Sequence, residues 1–367
     1  MKVLITGADG FIAKNMIECL GRINIDILKY THNNTFKELE EYIKEVDFIF
    51  HFAGVNRPKN NREFYDGNAN LTQQIVDILV QYNKKIPILF TSSLQVGNGS
   101  DYAKSKELAE RMIINYAKNN DVDCFIYRLP NVFGKWSKPN YNTVIATWCY
   151  NIARGIEIEV NDKSIELTLV YIDDVIRSFS EKLYRSQAKS VYCMITPVYK
   201  RTLGEIAKLL YQFRDSRVTL LIPNIGKGFE RALYATYLSF LPKENFSYKL
   251  NGHRDERGTF YEILKTEKSG QLSISTTKSG ITRGNHYHNT KNEKFLLIKG
   301  QALIELRSIF SDEVIQYYVS DTELEIVEMI PGYTHNIKNI GEDEMILLIW
   351  ANENYNADLP DTIFLEV

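Results

Sequence analysis

Cysteine is scarce in this chain: four residues in 367, at positions 19, 124, 149 and 193. No two of them form a CxxC pair, and the last 174 residues (367 minus 193) hold none. That excludes a disulfide framework and a cysteine-built zinc site, and it leaves reduced, mostly buried thiols as the expectation. Long apolar runs are missing too. No stretch approaches the ~20 residues that a helical membrane span needs. The start, MKVLITGADGFIAKN, places Gly-Asp-Gly where a signal peptide would carry its apolar region and cleavage site. A cytoplasmic protein is expected. An excess of one charge is also lacking: 44 Lys and Arg stand against 46 Asp and Glu, for a formal net charge of -2. That balance calls for neither nucleic acid nor an anionic membrane as partner.

What is present divides near Asn245. Before it, short apolar runs alternate with helical patterns, which predicts a parallel sheet covered on both faces. Lys2 to Thr6 reads as a buried strand. It runs into Gly7-Ala-Asp-Gly10-Phe-Ile-Ala13 and then a helix over Asn15 to Leu20. Strand, glycine turn and helix in that order form a place for a dinucleotide pyrophosphate. Gly7 permits the tight turn, Gly10 lets phosphate approach the backbone, Phe11 and Ile12 are further candidate cofactor contacts, and Ala13 lets helix pack on strand. The next strand, Asp26 to Tyr30, ends in Lys29-Tyr-Thr31-His32-Asn-Asn with no carboxylate for a ribose 2′-hydroxyl. That leans toward NADPH, with Thr31 and His32 near the 2′-phosphate. Further helices are expected at Phe36–Glu45, Leu71–Tyr82, Tyr102–Lys118, Thr143–Arg154, Asp173–Tyr184 and Leu203–Phe213. Further strands are expected at Val46–Val55, Ile86–Thr91 and Asp123–Arg128.

The chemistry concentrates in Thr91 to Lys106, TSSLQVGNGSDYAKSK. Tyr102 and Lys106 stand one helical turn apart, on one face. A lysine ammonium beside a tyrosine lowers the phenol pKa from its usual ~10. Such a tyrosine hands a proton to a carbonyl oxygen while hydride reaches the carbon. Ser93, at the preceding strand end, is placed to hold the same oxygen. Spacing alone also fits a solvated helix face, so the neighbouring motifs decide the reading.

Those motifs carry a resemblance. Gly7-x-x-Gly10-x-x-Ala13, His51-Phe-Ala53-Gly54, Asn68-Ala-Asn-Leu-Thr72, Ser93, Tyr102-x-x-x-Lys106, Arg128-Leu-Pro-Asn131-Val-Phe-Gly134 and Tyr171-Ile-Asp-Asp174-Val come in one order over about 175 residues. They resemble the extended short-chain dehydrogenase/reductases that act on nucleotide sugars. Ala13 departs from that family, which usually has glycine there, and Leu94-Gln-Val-Gly97 lacks its usual Tyr-Gly ending. The resemblance implies a Rossmann-type α/β fold over residues 1–244. It places Ala53, Asn68, Tyr102 and Lys106 with Gly7, Gly10, Phe11 and Ile12 around a nicotinamide cofactor. It also implies a substrate site near Asn131 and Lys135, where Lys138, Trp136 and Tyr141 are further candidates.

After Asn245 the texture changes. Thr and Ser alternate with apolar residues, glycine recurs at turns, and strands are expected at Gln271–Thr277, Lys294–Lys299, Leu303–Arg307 and Met345–Trp350. An all-β barrel or jelly roll over residues 245–367 follows. His286 and His288 share a strand face because side chains alternate. Glu293 and His335 are placed to join them, and three His with one Glu suit a divalent ion, zinc first. The spacing His286-x-His288-x4-Glu293-x6-Gly300 resembles the first motif of the cupin family, and Pro331-Gly-Tyr-Thr-His335-x3-Asn339 more loosely the second. A metal-free polar interior is the competing reading.

Asp255-Glu-Arg257-Gly258-Thr-Phe260-Tyr-Glu262 and Thr282-Arg283-Gly-Asn-His286 look like segments of the cupin-type 4-keto-6-deoxy sugar 3,5-epimerases. That resemblance makes His286 a base as well as a candidate ligand, and one imidazole nitrogen cannot serve both at once. It suggests Arg257 and Arg283 for the substrate, Lys294 as a second acid/base and Tyr333 as a proton donor. Taken whole, the chain resembles bifunctional bacterial enzymes of capsular polysaccharide synthesis. That implies a homodimer acting on a UDP-2-acetamido-2,6-dideoxy-4-keto-hexose: C3 inversion in the cupin, then reduction of C4 by NADPH to the L-talose form.

Overall fold

The structure, a computed structural model, describes residues 1–58, 60–184 and 191–367. It divides into two compact units. Residues 1–210 and 227–242 make the first, and residues 211–226 and 243–367 the second. Relative to the expected division at Asn245, the segment 211–226 groups with the second unit.

The first unit begins β1 (Lys2–Thr6), α1 (Phe11–Gly21), β2 (Asp26–Tyr30), α2 (Phe36–Glu45), β3 (Phe48–His51), α3 (Arg62–Phe64) and a π-helical turn (Tyr65–Asn70). It continues α4 (Leu71–Gln81), β4 (Ile88–Ser93), α5 (Asp101–Asn120), β5 (Cys124–Leu129), β6 (Asn131–Phe133), α6 (Val144–Ile152), β7 (Glu166–Tyr171) and α7 (Ile172–Ser180). After β8 (Tyr192–Cys193) and β9 (Tyr199–Thr202) comes α8 (Leu203–Thr219), which runs into the second unit. There the chain forms β10 (Leu221–Ile222) before returning for α9 (Gly228–Ser239).

Six strands form one parallel sheet in the order β2-β1-β3-β4-β5-β8. Alternation along β1 explains why both faces are covered: Val3 and Ile5 pack with α1 and α7, while Leu4 packs with α2, α4 and α5. A small sheet, β6-β7-β9, lies apart from it in the pairing. Helix starts follow local chemistry. Thr35 and Glu38 close a capping box at α2, and the Ser100 hydroxyl accepts from Ala103 N at 3.2 Å at the start of α5. From β1 the chain goes to β2 on one side and then crosses to β3 on the other, which opens a crevice beyond the strand ends.

The second unit adds β11 (Gly252–Asp255), β12 (Gly258–Thr266), β13 (Gln271–Thr277), β14 (Thr282–Tyr287), β15 (Glu293–Lys299) and β16 (Gln301–Ser308). It ends with β17 (Val314–Ser320), β18 (Ile326–Met329), β19 (Tyr333–Asn339), β20 (Met345–Ala351) and β21 (Ile363–Phe364). One sheet has the order β10-β12-β13-β20-β15-β18 with β11 on β12, the other β17-β16-β19-β14-β21. Phe295 and Leu347 from the first and Ile304 and Ile337 from the second share one core, so the sheets face each other across it. Among the described residues, no helix is long and apolar enough to cross a membrane.

Candidate active sites

The glycine turn is tight for a stated reason. Gly7 has φ +66°, and a Cβ on it would stand 2.8 Å from the backbone of Ala53. The ends of β1 and β3 therefore close on each other at the crevice. Gly10 caps α1 with no side chain bonded to the helix start, and no acidic residue lies in the first turn. The amides of Phe11 and Ile12 thus face the crevice end of a helix without an internal anion, which fits a pyrophosphate. Ala8 N donates to Tyr30 O at 3.2 Å, so the turn abuts the end of β2 and the neighbouring Thr31 and His32. Thr31 is committed to a turn, its N–H and hydroxyl both donating to Asn34 Oδ1, while His32 is exposed.

Ser93 ends β4, and Tyr102 and Lys106 lie in the first turns of α5. The Ser93 hydroxyl lies near enough to the Tyr102 phenol to favour its ionised form. Lys106 is buried, its Nζ donating to Thr91 O at 3.0 Å and standing 4.7 Å from the centre of the Phe90 ring. Burial lowers this ammonium to about 8, against an opposing pull from Glu110. The lysine-driven lowering expected for Tyr102 does not set the direction: burial raises the phenol, and the opposing pull comes from Ser93.

Asn68 is the link the motifs did not explain. It sits in the π-helical turn, wholly buried, and its amide brackets Val55: Oδ1 accepts from Val55 N and Nδ2 donates to Val55 O, both at 3.0 Å. Nδ2 also donates to Ser105 Oγ at 3.0 Å, which ties the loop after β3 to the helix carrying Tyr102 and Lys106. A Cβ on Gly54 would lie 2.8 Å from Asn68 Oδ1 and 2.9 Å from Lys106 Nζ, so both polar groups converge there. His51 is structural. It bridges the Thr6 and Thr72 hydroxyls at 2.7 and 2.8 Å, and burial with the nearby Lys106 charge lowers it to about 3. Of the expected substrate residues, Asn131 is exposed beyond β5, with Nδ2 donating to Thr168 O at 3.3 Å. Lys135 is paired with Asp173 at 2.6 Å.

In the second unit the structure brings His286, His288, Glu293 and His335 together, one ligand atom of each lying within 4.8 Å of the others. Nε2 of His288 and of His335 stand 3.6 and 3.8 Å from Glu293 Oε2, and neither buried nitrogen has a hydrogen-bond partner. Buried polar atoms left unpaired around one point ask for a ligand. Burial and the neighbouring His286 hold His335 down at about 4, and burial and His288 lower His286. Burial pushes the Glu293 carboxyl up, but His288 and Lys291 bring it well below its usual range. His286 and His335 are thus held toward their neutral forms beside an ionised Glu293, as a divalent cation needs, and the donor set fits one.

A bulge arranges this face. Arg283 pairs across with Ile337 and His286 with His335, so the three-residue step on β14 matches two on β19. The extra residue is Asn285, at φ 59°. With regular pairing the three-residue step would put Arg283 and His286 on opposite faces; the bulge puts them on one. Gly284, with φ +101°, allows the close approach: a Cβ there would stand 2.7 Å from His335 O. Arg257 and Arg283 meet at one carboxylate, Asp255, at 2.5 and 3.5 Å. Tyr333 precedes His335 by two residues and shares its face. Lys294 is not brought to the cluster. It alternates with the inward Glu293 and Phe295 and pairs with Glu328 on the other face of β15.

Known proteins match this geometry at both ends of the chain. Residues 3–191 match the NAD dependent epimerase/dehydratase family, and residues 253–363 the polysaccharide biosynthesis C-terminal domain. The chain is 46% identical over 365 residues to the UDP-2-acetamido-2,6-beta-L-arabino-hexul-4-ose reductase of Pseudomonas aeruginosa, covering 99% of this chain and 98% of that protein. The crystal structure of the capsular polysaccharide assembling protein CapF from Staphylococcus aureus superposes with a TM-score of 0.93 at 44% identity, covering 100% of both chains. The UDP-glucose 4-epimerase of Thermus thermophilus, solved with NAD, shares the fold at a TM-score of 0.55 and 16% identity over 65% of this chain and 99% of that one. The chain belongs to the NAD dependent epimerase/dehydratase family, and carries a polysaccharide biosynthesis C-terminal domain behind it.

Proposed function

We propose that the chain converts a UDP-2-acetamido-2,6-dideoxy-4-keto-hexose in two steps. The second unit inverts C3, and the first unit then reduces the C4 ketone with NADPH to UDP-2-acetamido-2,6-dideoxy-L-talose for capsular polysaccharide. One observation carries the reductive half. Ser93, protonated Tyr102 and buried Lys106 meet at a strand end beside a glycine cradle, in a chain 46% identical to a 4-ulose reductase.

The nicotinamide supplies the hydride when bound. The chain's own residues do the rest. Tyr102 gives its proton to the C4 oxygen, Ser93 holds that oxygen, and the Lys106 charge supports the phenolate left behind. Asn131 and Lys135 are assigned to the nucleotide sugar. The absence of a carboxylate at the end of β2 supports NADPH over NADH, which relative KM values test. In the second unit, C3 lies next to the ketone and is acidic for that reason. His286, less buried than His288 and His335, is assigned to remove its proton. His288, Glu293 and His335 would then hold zinc, which polarises the keto oxygen when bound. Arg257 and Arg283 would meet the diphosphate, and Tyr333 would return the proton.

NMR of the keto sugar with the protein in D₂O tests the division of labour. Deuterium should enter at C3 before NADPH is added, and the C4 alcohol should form after. Tyr102→Phe should cut reduction by about 100-fold or more and leave C3 exchange intact. Reduction without prior exchange would leave a ketoreductase alone, and loss of both reactions in a folded Tyr102→Phe protein would refute the two-site reading.

A further inference from the structure

A segment remote in sequence reaches the surroundings of every candidate ligand. β21 pairs with β14 so that Phe364 lies opposite His286, and Leu365 N donates to Asn285 O at 3.0 Å. The hydroxyl of Thr334, next to His335, donates to the Leu365 carbonyl. Nδ1 of His288 is hydrogen-bonded to the Asp361 carbonyl oxygen. The Asp361 carboxylate accepts from three successive backbone amides, Asn289, Thr290 and Lys291, at 3.0, 2.7 and 2.9 Å, and from the Thr290 hydroxyl at 3.1 Å. Lys291 Nζ in turn stands 3.1 Å from Glu293 Oε1.

These contacts have one chemical consequence. A carbonyl oxygen only accepts, so Nδ1 of His288 carries a proton, and the neutral ring is then the tautomer that leaves the lone pair on Nε2. That Nε2 is buried without a partner and faces Glu293. The carboxylate meanwhile holds the loop between His288 and Glu293, whose three amides would otherwise lack a common acceptor. Outer contacts of this kind set a ligand's tautomer and orientation before any ion arrives.

We propose that Asp361 is a positioning residue of the metal centre: by fixing His288 and the 289–291 loop it sets how tightly His288, Glu293 and His335 hold a divalent cation. The inference rests on the metal reading above. The test is a zinc titration of the full chain against a chromogenic chelator, for wild type, Asp361→Ala and Asp361→Asn, with melting of the metal-free proteins measured alongside. Asp361→Ala should weaken zinc binding about 10- to 100-fold, and Asp361→Asn, which keeps one neutral acceptor oxygen, should fall between. Variants that melt lower but bind zinc within about twofold of wild type would reduce Asp361 to a tether for the tail and overturn the proposal. If the alanine variant does not fold, the asparagine variant decides the matter on the same scale. A wild-type protein that takes up no zinc would overturn the metal reading itself, a different failure from unchanged affinity in the variants.

Discussion

Lys106 holds its charge in a place where water does not reach it, with a carbonyl oxygen as its direct partner. Its folded pKa of about 8 lies below the unfolded value of ~10.4. Between those values the unfolded state binds more protons, so stability rises with pH across that window, and the full cost is present below about 8. Lys106→Met should therefore unfold at neutral pH with about 1–2 kcal/mol more stability, after allowing for the lost bond to Thr91. The gain should vanish near pH ~10.5, where the native lysine is already neutral. Ketone reduction should fall by about 100-fold or more in the same variant. Denaturant unfolding at the two pH values, with NADPH oxidation alongside, checks both signs. A variant less stable at neutral pH would mean that the Thr91 contact outweighs the buried charge.

At the scale of elements, α2 and β13 have the bounds their patterns predict, Phe36–Glu45 and Gln271–Thr277. Periodicity and a capping pair are local, so the sequence carries them openly. The glycine turn and the Tyr102–Lys106 spacing are local in the same way. The π-helical turn at Asn68 was not legible, because its aim depends on Val55, thirteen residues away across a loop. Nor was the bulge at Asn285, although Gly284-Asn285 is a pair that tolerates left-handed backbone. Asp361 was out of reach, since it bonds His288 from 73 residues on with no motif of its own. The spacing points to a lowered Tyr102 pKa where burial raises it, for a related reason: spacing names a neighbour but does not say how deeply the phenol is buried. The bulge makes a prediction of its own. Asn285→Val should cost about 1–3 kcal/mol, because a β-branched residue resists φ 59°, and Asn285→Gly should cost less. Equilibrium unfolding of the metal-free proteins compares them, and equal losses would place the effect in the contact with Asn336 instead.

For the molecule as a whole, the two units are not consecutive in the chain. The path passes from one to the other after residues 210, 226 and 242. Within the second unit, Lys265 N donates to Leu220 O at 2.7 Å, and Arg217 Nη2 to Asn245 O at 2.5 Å. β10 extends the sheet edge at β12. A fragment of residues 211–367 should therefore be more stable than one of residues 243–367, by about 1–3 kcal/mol. Thermal melting of the two decides it, and equal melting would show that the segment contributes nothing. The threading also bears on recombination between related genes. A single crossover near Asn245 would pair a relative's C-terminal sheets with the native 211–226 segment and its strand β10, a mismatched graft at an edge built for another partner. A chimera that keeps both units intact needs three junctions, and its donor must supply the short segment along with the long one.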